Sequence, residues 1–436
     1  MKPEFLEELT QVLGTEVEDY LACLEQTALK AIRINTLKRD TLPACFCDAK
    51  PHPFAGNGYI IPSDVLVGWL PEYLCGHVYS QEPSASFPVT AMDIQPGMKV
   101  LDLCAAPGSK STQIAECLNH EGVLVANEIV ERRAAILKEN LERHGVANAI
   151  ILNNRPDQIA DVFEDYFDAV LCDAPCSGEG MFRKDAQAVE DWSPEAVEAC
   201  AVRQRKILES AIRCVKPGGI LLYSTCTFSL AENEETVAYI LKAHPELHLV
   251  SIEAAGGRPG VELEGHTSFT RRIYPMDGGE GQFAAKFRKE ESDREGSKPA
   301  LLNSAKLPSD VLSFLNEHCT KNFPYLYVQG ERVYGGTSPF IECRGLHLIR
   351  HQAFLGTYRN HRFEPSHALA LSAYAGFIPT VELTEEEFLH YRKGETLRKE
   401  STKGWNAVTV QGMRAGLVKS DGTILKNHYP KAFRIR

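Results

Sequence analysis

At 436 residues, 44% hydrophobic and 24% charged, the chain has the composition of a soluble globular protein with two or three domains. No apolar run approaches the roughly 20 residues of a membrane span, and the start MKPEFLEELTQVLG lacks the basic, then apolar pattern of a signal peptide, so a cytoplasmic protein is expected. The net charge of −11 argues against nucleic acid only as a single number: residues 389–436 hold eleven Lys and Arg against three acids, a local +8 that leaves −19 on the other 388 residues.

Residues 1–40 read as helical, with Phe5, Leu6, Leu9, Val12 and Leu13 at helix spacing, and AIRINTLK (31–38) reads as a strand. Residues 40–75 are Pro- and Gly-rich connecting structure, and 1–90 together form an N-terminal extension. From 91 to 290 strands and helices alternate. Buried strands are expected at 99–106, 123–129, 149–154, 167–175 and 219–227. Helices follow the first Gly loop and fill 131–145, 193–215 and 232–243. Near-continuous apolar strands alternating with helices predict a parallel α/β sheet covered on both faces. KEESDREGSKPA (289–300) is the linker candidate. A small α/β connecting segment (301–345) and a β-rich basic module (346–436) complete the chain.

Two cysteines stand at strand ends: Cys176 in DAPCSGEG and Cys226 in YSTCTF. Open α/β sheets keep their chemistry at the carboxyl ends of strands. The thirteen cysteines are odd in number and without paired CxxC knuckles, so neither a disulfide framework nor a structural zinc is expected. A strand-end cysteine alone is more often structural; two in one cofactor domain favour chemistry. The first loop, Cys104-Ala105-Ala106-Pro107-Gly108-Ser109-Lys110, has neither the G-x-G-x-x-G of a dinucleotide fold nor a P-loop. Glu128, about 20 residues on, sits where an acid meets ribose hydroxyls, or is simply a helix-start acid. A ribose without a pyrophosphate points to S-adenosylmethionine rather than NAD. Asp173 faces the cleft above the sheet and can hold a substrate amide or protonate a ring nitrogen. Cys226, near the cation of Lys110, is a competent nucleophile. A methyl donor beside a thiol suits one acceptor, the C5 of a pyrimidine, which is unreactive until a thiolate adds to C6.

At these residues the chain resembles the Sun-family (NSUN-type) RNA cytosine-C5 methyltransferases, in the bacterial RsmF-like 16S rRNA branch. The resemblance rests on RINTLK (33–38), YSQEPSA (79–85), LDLCAAPGSKSTQIA (101–115), NE (127–128), DAPCSGEGMFRKD (173–185), YSTCTFSLAENEETV (223–237) and GEGQFAAKFRK (279–289). It implies a Rossmann-like S-adenosylmethionine-dependent domain with an RNA-contacting N-terminal extension. It implies that Cys226 attacks, that Cys176 assists product release, and that Lys110 and Asp173 orient and activate the cytosine. Residues 104–110, Glu128 and Asp173 would hold the methyl donor, with Arg133 matching a motif arginine. Two positions depart from the pattern. Arg155 stands where many members have an acid that meets the adenine, with Asp157 or a backbone N–H as the substitute, and Pro275-Met276 replaces a Pro-His pair. The C-terminal segment resembles the PUA-type RNA-binding module, with Trp405, Tyr429 and Phe433 available for base stacking or for its core.

The expected activity is methylation of cytosine C5 in 16S rRNA by a monomer that meets ribosomal RNA or the small ribosomal subunit. A tRNA substrate shares the same motifs, and a catalytically idle assembly factor would keep the fold without needing both thiols.

Overall fold

A computed structural model describes residues 1–254, 256–263, 265–302 and 307–435; positions 303–306 of the connecting segment and Arg436 of the basic tally lie outside them. The centre is a ten-stranded mixed sheet. Its principal strands are β1 (Lys99–Asp102), β2 (Val123–Asn127), β3 (Ala149–Leu152), β4 (Phe167–Asp173), β5 (Val215–Thr225) and β6 (Gln282–Lys289). They lie in the order β6-β5-β4-β1-β2-β3. The first five run parallel, and β6 is antiparallel to β5. Helices α1 (Ser109–Leu118), α2 (Glu131–His144), α3 (Pro194–Cys214) and α4 (Glu234–Ala243) are the main connections. Two apolar clusters pack the two faces, as the continuous Val, Ile and Leu runs of the strands require. The order reverses between β1 and β4, which opens a crevice above their carboxyl ends.

The start of α3 follows the local chemistry: Ser193 caps it by accepting the Ala196 N–H at 3.2 Å, with Pro194 in its first turn. The start of α4 does not match the sequence expectation. It begins at Glu234 rather than 232, because Glu232 and Asn233 spend their side chains on neighbouring loops.

Residues 40–75 hold more than connections: strands Lys50–Pro51 and Gly58–Ile61 join Lys30–Ile34 and Val78–Ser80 in a four-stranded sheet. The N-terminal helices Pro3–Leu13 and Val17–Leu24 form a shared core with Phe182, Trp192, Phe228 and Tyr274 of the central domain. Phe5 lies 5.0 Å from Phe182 and Tyr20 5.5 Å from Phe228 between ring centroids. Met276, at the position that departs from Pro-His, packs into this same cluster.

Beyond the linker, strands Tyr325–Gln329, Arg332–Gly336, Ala353–Arg359 and Arg362–Pro365 make one sheet. The division at 345/346 therefore falls inside a structural unit; the change of composition there marks a loop, not a module edge. Within that loop, Leu348–Arg350 pairs antiparallel with β3 and covers the edge of the central sheet. The last sheet has five strands between Thr380 and Asn427. Trp405 and Tyr429 are buried there, and Phe433 packs against its core, so filling the module accounts for all three aromatics. Among the described residues no helix is long and apolar enough to cross a membrane.

Candidate active site

Three strand ends build the site. β1 leads into the loop 103–108 and the first turn of α1, which carries Lys110; β4 ends at Asp173; β5 ends at Thr225, one residue before Cys226. Asp173 and Ser224 are paired across β4 and β5, and the Ser224 hydroxyl donates to Asp173 Oδ1 at 2.6 Å. Lys110 Nζ donates to Asp173 Oδ2 at 2.8 Å. Burial works against the Lys110 charge, yet the Asp173 carboxylate outweighs it and holds the ammonium above its ordinary pKa. Lys110 is therefore a fixed cation at neutral pH.

The two cysteines meet. Cys176 Sγ and Cys226 Sγ are 3.3 Å apart, both free thiols and both part-exposed. Hydrogen bonding to Cys226, then burial, pushes the Cys176 thiol well above its usual value. Either thiol can donate to the other across this contact. Their loops are tied as well: Gly180 N–H donates to Cys226 O at 2.9 Å, and the Ser177 and Thr227 hydroxyls are 2.8 Å apart. A Cβ on Gly180 would come 3.0 Å from Cys226 O and 3.1 Å from Gly281 Cα, so this approach needs a glycine. The buried Glu179 carboxylate accepts the Trp192 indole N–H at 2.8 Å and the Phe228 N–H at 2.7 Å.

The first loop is held from outside. Arg133 donates to Ala106 O at 2.9 Å, Asn140 to Pro107 O at 2.7 Å, and Ala105 N–H to Asn127 O at 2.8 Å. Gly108 sits at φ +112° at the start of α1, where a Cβ would be 3.1 Å from Leu137. Arg33 of the N-terminal sheet, 1% exposed, donates to Ser109 O at 3.1 Å, Thr112 Oγ1 at 2.7 Å and Glu116 at 3.0 Å. Arg33 of RINTLK thus makes its contacts with the catalytic domain. Burial pushes the Cys104 thiol well above its ordinary value, which makes it a packing group rather than a second nucleophile.

Glu128 follows the last residue of β2, with its side chain 3% exposed; Oε1 accepts the Val130 N–H at 2.9 Å and Oε2 lies 3.4 Å from Arg133 Nη1. Arg155 is different. It caps the following helix, is exposed, and turns its guanidinium to Asp157 at 2.9 Å and 3.0 Å. Lys110, Asp173, Cys176 and Cys226 are thus tied into one constellation, while Arg155 and Asp157 spend their charges on each other.

Sequence reasoning passed over Gln204, Glu232 and Asn233, all fully buried around the cysteine loops. One signal was available. Gln204 interrupts the apolar face Val197, Ala201, Leu208, Ala211 of α3, where a buried amide needs a partner.

The N-terminal domain of 16S rRNA methyltransferase RsmF matches residues 1–83, and 16S rRNA methyltransferase RsmB/F matches 89–288. The RsmF first C-terminal domain matches 313–372, and the RsmF PUA domain 378–435. Ribosomal RNA small subunit methyltransferase F of Vibrio parahaemolyticus is 32% identical over 470 residues, covering 98% of this chain and 96% of that protein. The chain belongs to the RsmB/F family of 16S rRNA methyltransferases. The corresponding Vibrio vulnificus protein is 38% identical over a shorter stretch of 304 residues, 65% of this chain and 63% of that protein. Among solved structures, a methyltransferase homolog protein from Pyrococcus horikoshii shares the fold at 29% identity and a TM-score of 0.57, covering 66% of this chain and 95% of that one.

Proposed function

We propose that this protein transfers a methyl group from S-adenosylmethionine to C5 of a cytosine in 16S rRNA, with Cys226 as the covalent nucleophile. The observation that carries the reading is the 3.3 Å thiol pair beside the Lys110–Asp173 ion pair at the carboxyl ends of β4 and β5. The donor-binding residues fit a nucleoside without a pyrophosphate. Loop 104–108 has one glycine and carbonyls already held by Arg133 and Asn140, and Glu128 offers a buried carboxylate at a ribose position. When bound, the donor supplies an electrophilic methyl group on a sulfonium sulfur.

Cys226, as the thiolate, forms a bond to C6 of the cytosine, which turns C5 into an enamine carbon able to take the methyl group. The methyl group moves as its bond to the sulfonium sulfur breaks, leaving a neutral thioether. Asp173 orients the base through its exocyclic amine, and the Lys110 ammonium answers the negative charge that builds on its ring. The C5 proton then passes to a base, its electrons restore the C5–C6 double bond, and the Cys226–C6 bond breaks. Cys176, in contact with the leaving sulfur, assists that release. The target base must be out of its stack for C6 to reach Cys226.

The RNA partner finds support in the last sheet. Lys419 and Lys426 face each other directly across two strands and are both exposed. Like charges opposite each other destabilise a sheet, and a phosphate backbone offsets that cost.

The test uses tritiated donor with 16S rRNA, the isolated small subunit and tRNA as acceptors. Cys226→Ser abolishes transfer to ribosomal RNA while donor binding persists, and Cys176→Ala accumulates a covalent protein–RNA adduct. Unchanged transfer by Cys226→Ser removes the nucleophile assignment; labelling of tRNA alone removes the ribosomal one.

A further inference from the structure

Between the Cys226 loop and α4 the chain buries three consecutive polar residues, Glu232, Asn233 and Glu234, each 0% exposed. Burying such groups is costly unless every one is bonded. Their partners form a pattern. The Glu232 carboxylate accepts the backbone N–H of Ser177 at 3.1 Å and the Gln204 amide at 2.6 Å. That same Gln204 nitrogen donates to Pro175 O at 3.0 Å. The peptide groups on both sides of Cys176 are thereby held. Asn233 does the same for the other thiol: its Oδ1 accepts the Thr225 hydroxyl at 2.6 Å and its Nδ2 donates to Thr227 O at 2.9 Å. Neighbouring residues thus grip the two flanks of Cys176 and the two flanks of Cys226. The anchor is firm, since Tyr223 of β5 donates its hydroxyl to Glu232 O at 2.6 Å and to Gln204 Oε1 at 2.9 Å. Glu234 is fixed in turn by a buried ion pair with Arg272, whose Nη1 also donates to Phe228 O at 2.8 Å.

We propose that Glu232 and Asn233 are positioning residues that set the spacing of the two thiols, Glu232 by holding the release cysteine and Asn233 by holding the attacking one. The assignment rests on the covalent mechanism above. Neither residue touches the reacting base; each acts through a loop that carries a thiol. Because the two are adjacent in the chain, any shift of one loop is transmitted to the other through a single rigid link. A misplacement of about 1 Å at a reacting group costs about a hundredfold in rate.

Two readouts separate the roles. With ribosomal RNA and donor, Glu232→Ala reproduces the Cys176→Ala behaviour: adduct forms at near the wild-type rate and resolves at least about tenfold more slowly. Asn233→Ala instead slows adduct formation by at least about tenfold and leaves resolution near wild type. Equal loss of both steps in both variants would mean a general structural role and overturn the proposal. The second readout needs no methylation: diamide accepts two electrons and two protons from the thiol pair, joining Cys176 to Cys226. That disulfide forms readily in the wild-type protein and at least about tenfold more slowly in either variant. Wild-type rates in both variants overturn the spacing role even if the RNA chemistry stands. Slowed closure in a protein that never forms an RNA adduct upholds the clasp and removes the mechanism instead. Should Glu232→Ala fail to fold, Gln204→Leu carries the same expectation through Pro175.

Discussion

Replacing Arg33 by Met tests how the N-terminal sheet supports the donor loop. Arg33 is 1% exposed and delivers three of its nitrogens to α1 at Glu116, Thr112 and Ser109 O. Glu116 is also buried, and it accepts from Asn57 at 2.9 Å and His144 at 2.6 Å as well. Burial works against the Glu116 charge, but Arg33 and His144 together hold its carboxyl below the usual range. Burial takes His144 down to about 4, so at neutral pH it is an uncharged donor. Without Arg33 the carboxylate is left with two neutral donors in a buried site, and removing one partner of a buried pair costs about 3–5 kcal/mol. A second substitution isolates the charge: in Arg33→Met/Glu116→Gln the amide still meets Asn57 and His144, and about 2 kcal/mol or more of the loss returns. Calorimetry of the transition that includes the central domain reads stability, and equilibrium binding of S-adenosylmethionine reads the loop that Ser109 anchors. The reasoning is refuted if Arg33→Met costs less than about 1 kcal/mol, or if the double variant is no better than the single one.

Two further outcomes follow from the charges. Burial lifts the Glu232 carboxyl from 4.5 to about 7, so the folded protein binds this proton more tightly than the unfolded chain. The associated stabilisation is full below about pH 4.5 and fades as pH rises through 7, by about 3 kcal/mol in all. Denaturant titrations at pH about 5 and about 7.5 should show Glu232→Gln gaining on the wild type at the higher pH, and a constant difference would contradict the burial argument. Lys419→Ala/Lys426→Ala should weaken binding of 16S rRNA and make its logarithmic salt dependence shallower by about 2, with donor affinity untouched; an unaltered slope would take these lysines off the RNA path.

How much could be read in advance differs between the sheet and the site. The apolar runs at 99–106, 123–129, 149–154 and 167–175 carry the sheet because a parallel strand is buried on both faces and has no polar alternation to blur it. Cys176, Cys226, Asp173 and Lys110 stand out because the chemistry of strand ends is local. Their supports do not. Gln204 is nearly thirty residues from the loop it holds, and Arg33 more than seventy from Ser109, so nothing in either local pattern names the partner. Glu232 and Asn233 look like the acidic first turn of a helix, a reading that fails because their side chains are used across loops. The pairing of 332–336 with 353–359 was equally hidden, because a β ladder ignores the composition of the loop it spans.

The strand Leu348–Arg350 ties the last stages of synthesis to the enzyme's centre. β3 is the outer parallel strand, and its partner lies some sixty residues beyond β6, the strand that otherwise completes the sheet. On a translating ribosome the methyltransferase sheet therefore emerges with one edge bare. Backbone donors there are free to pair with another nascent chain until the strand arrives, followed at once by the C-terminal sheet. His347 and Arg350 then fasten it through Asn154 and Glu142. A nascent chain that stalls at the linker carries both thiols but keeps that edge unpaired.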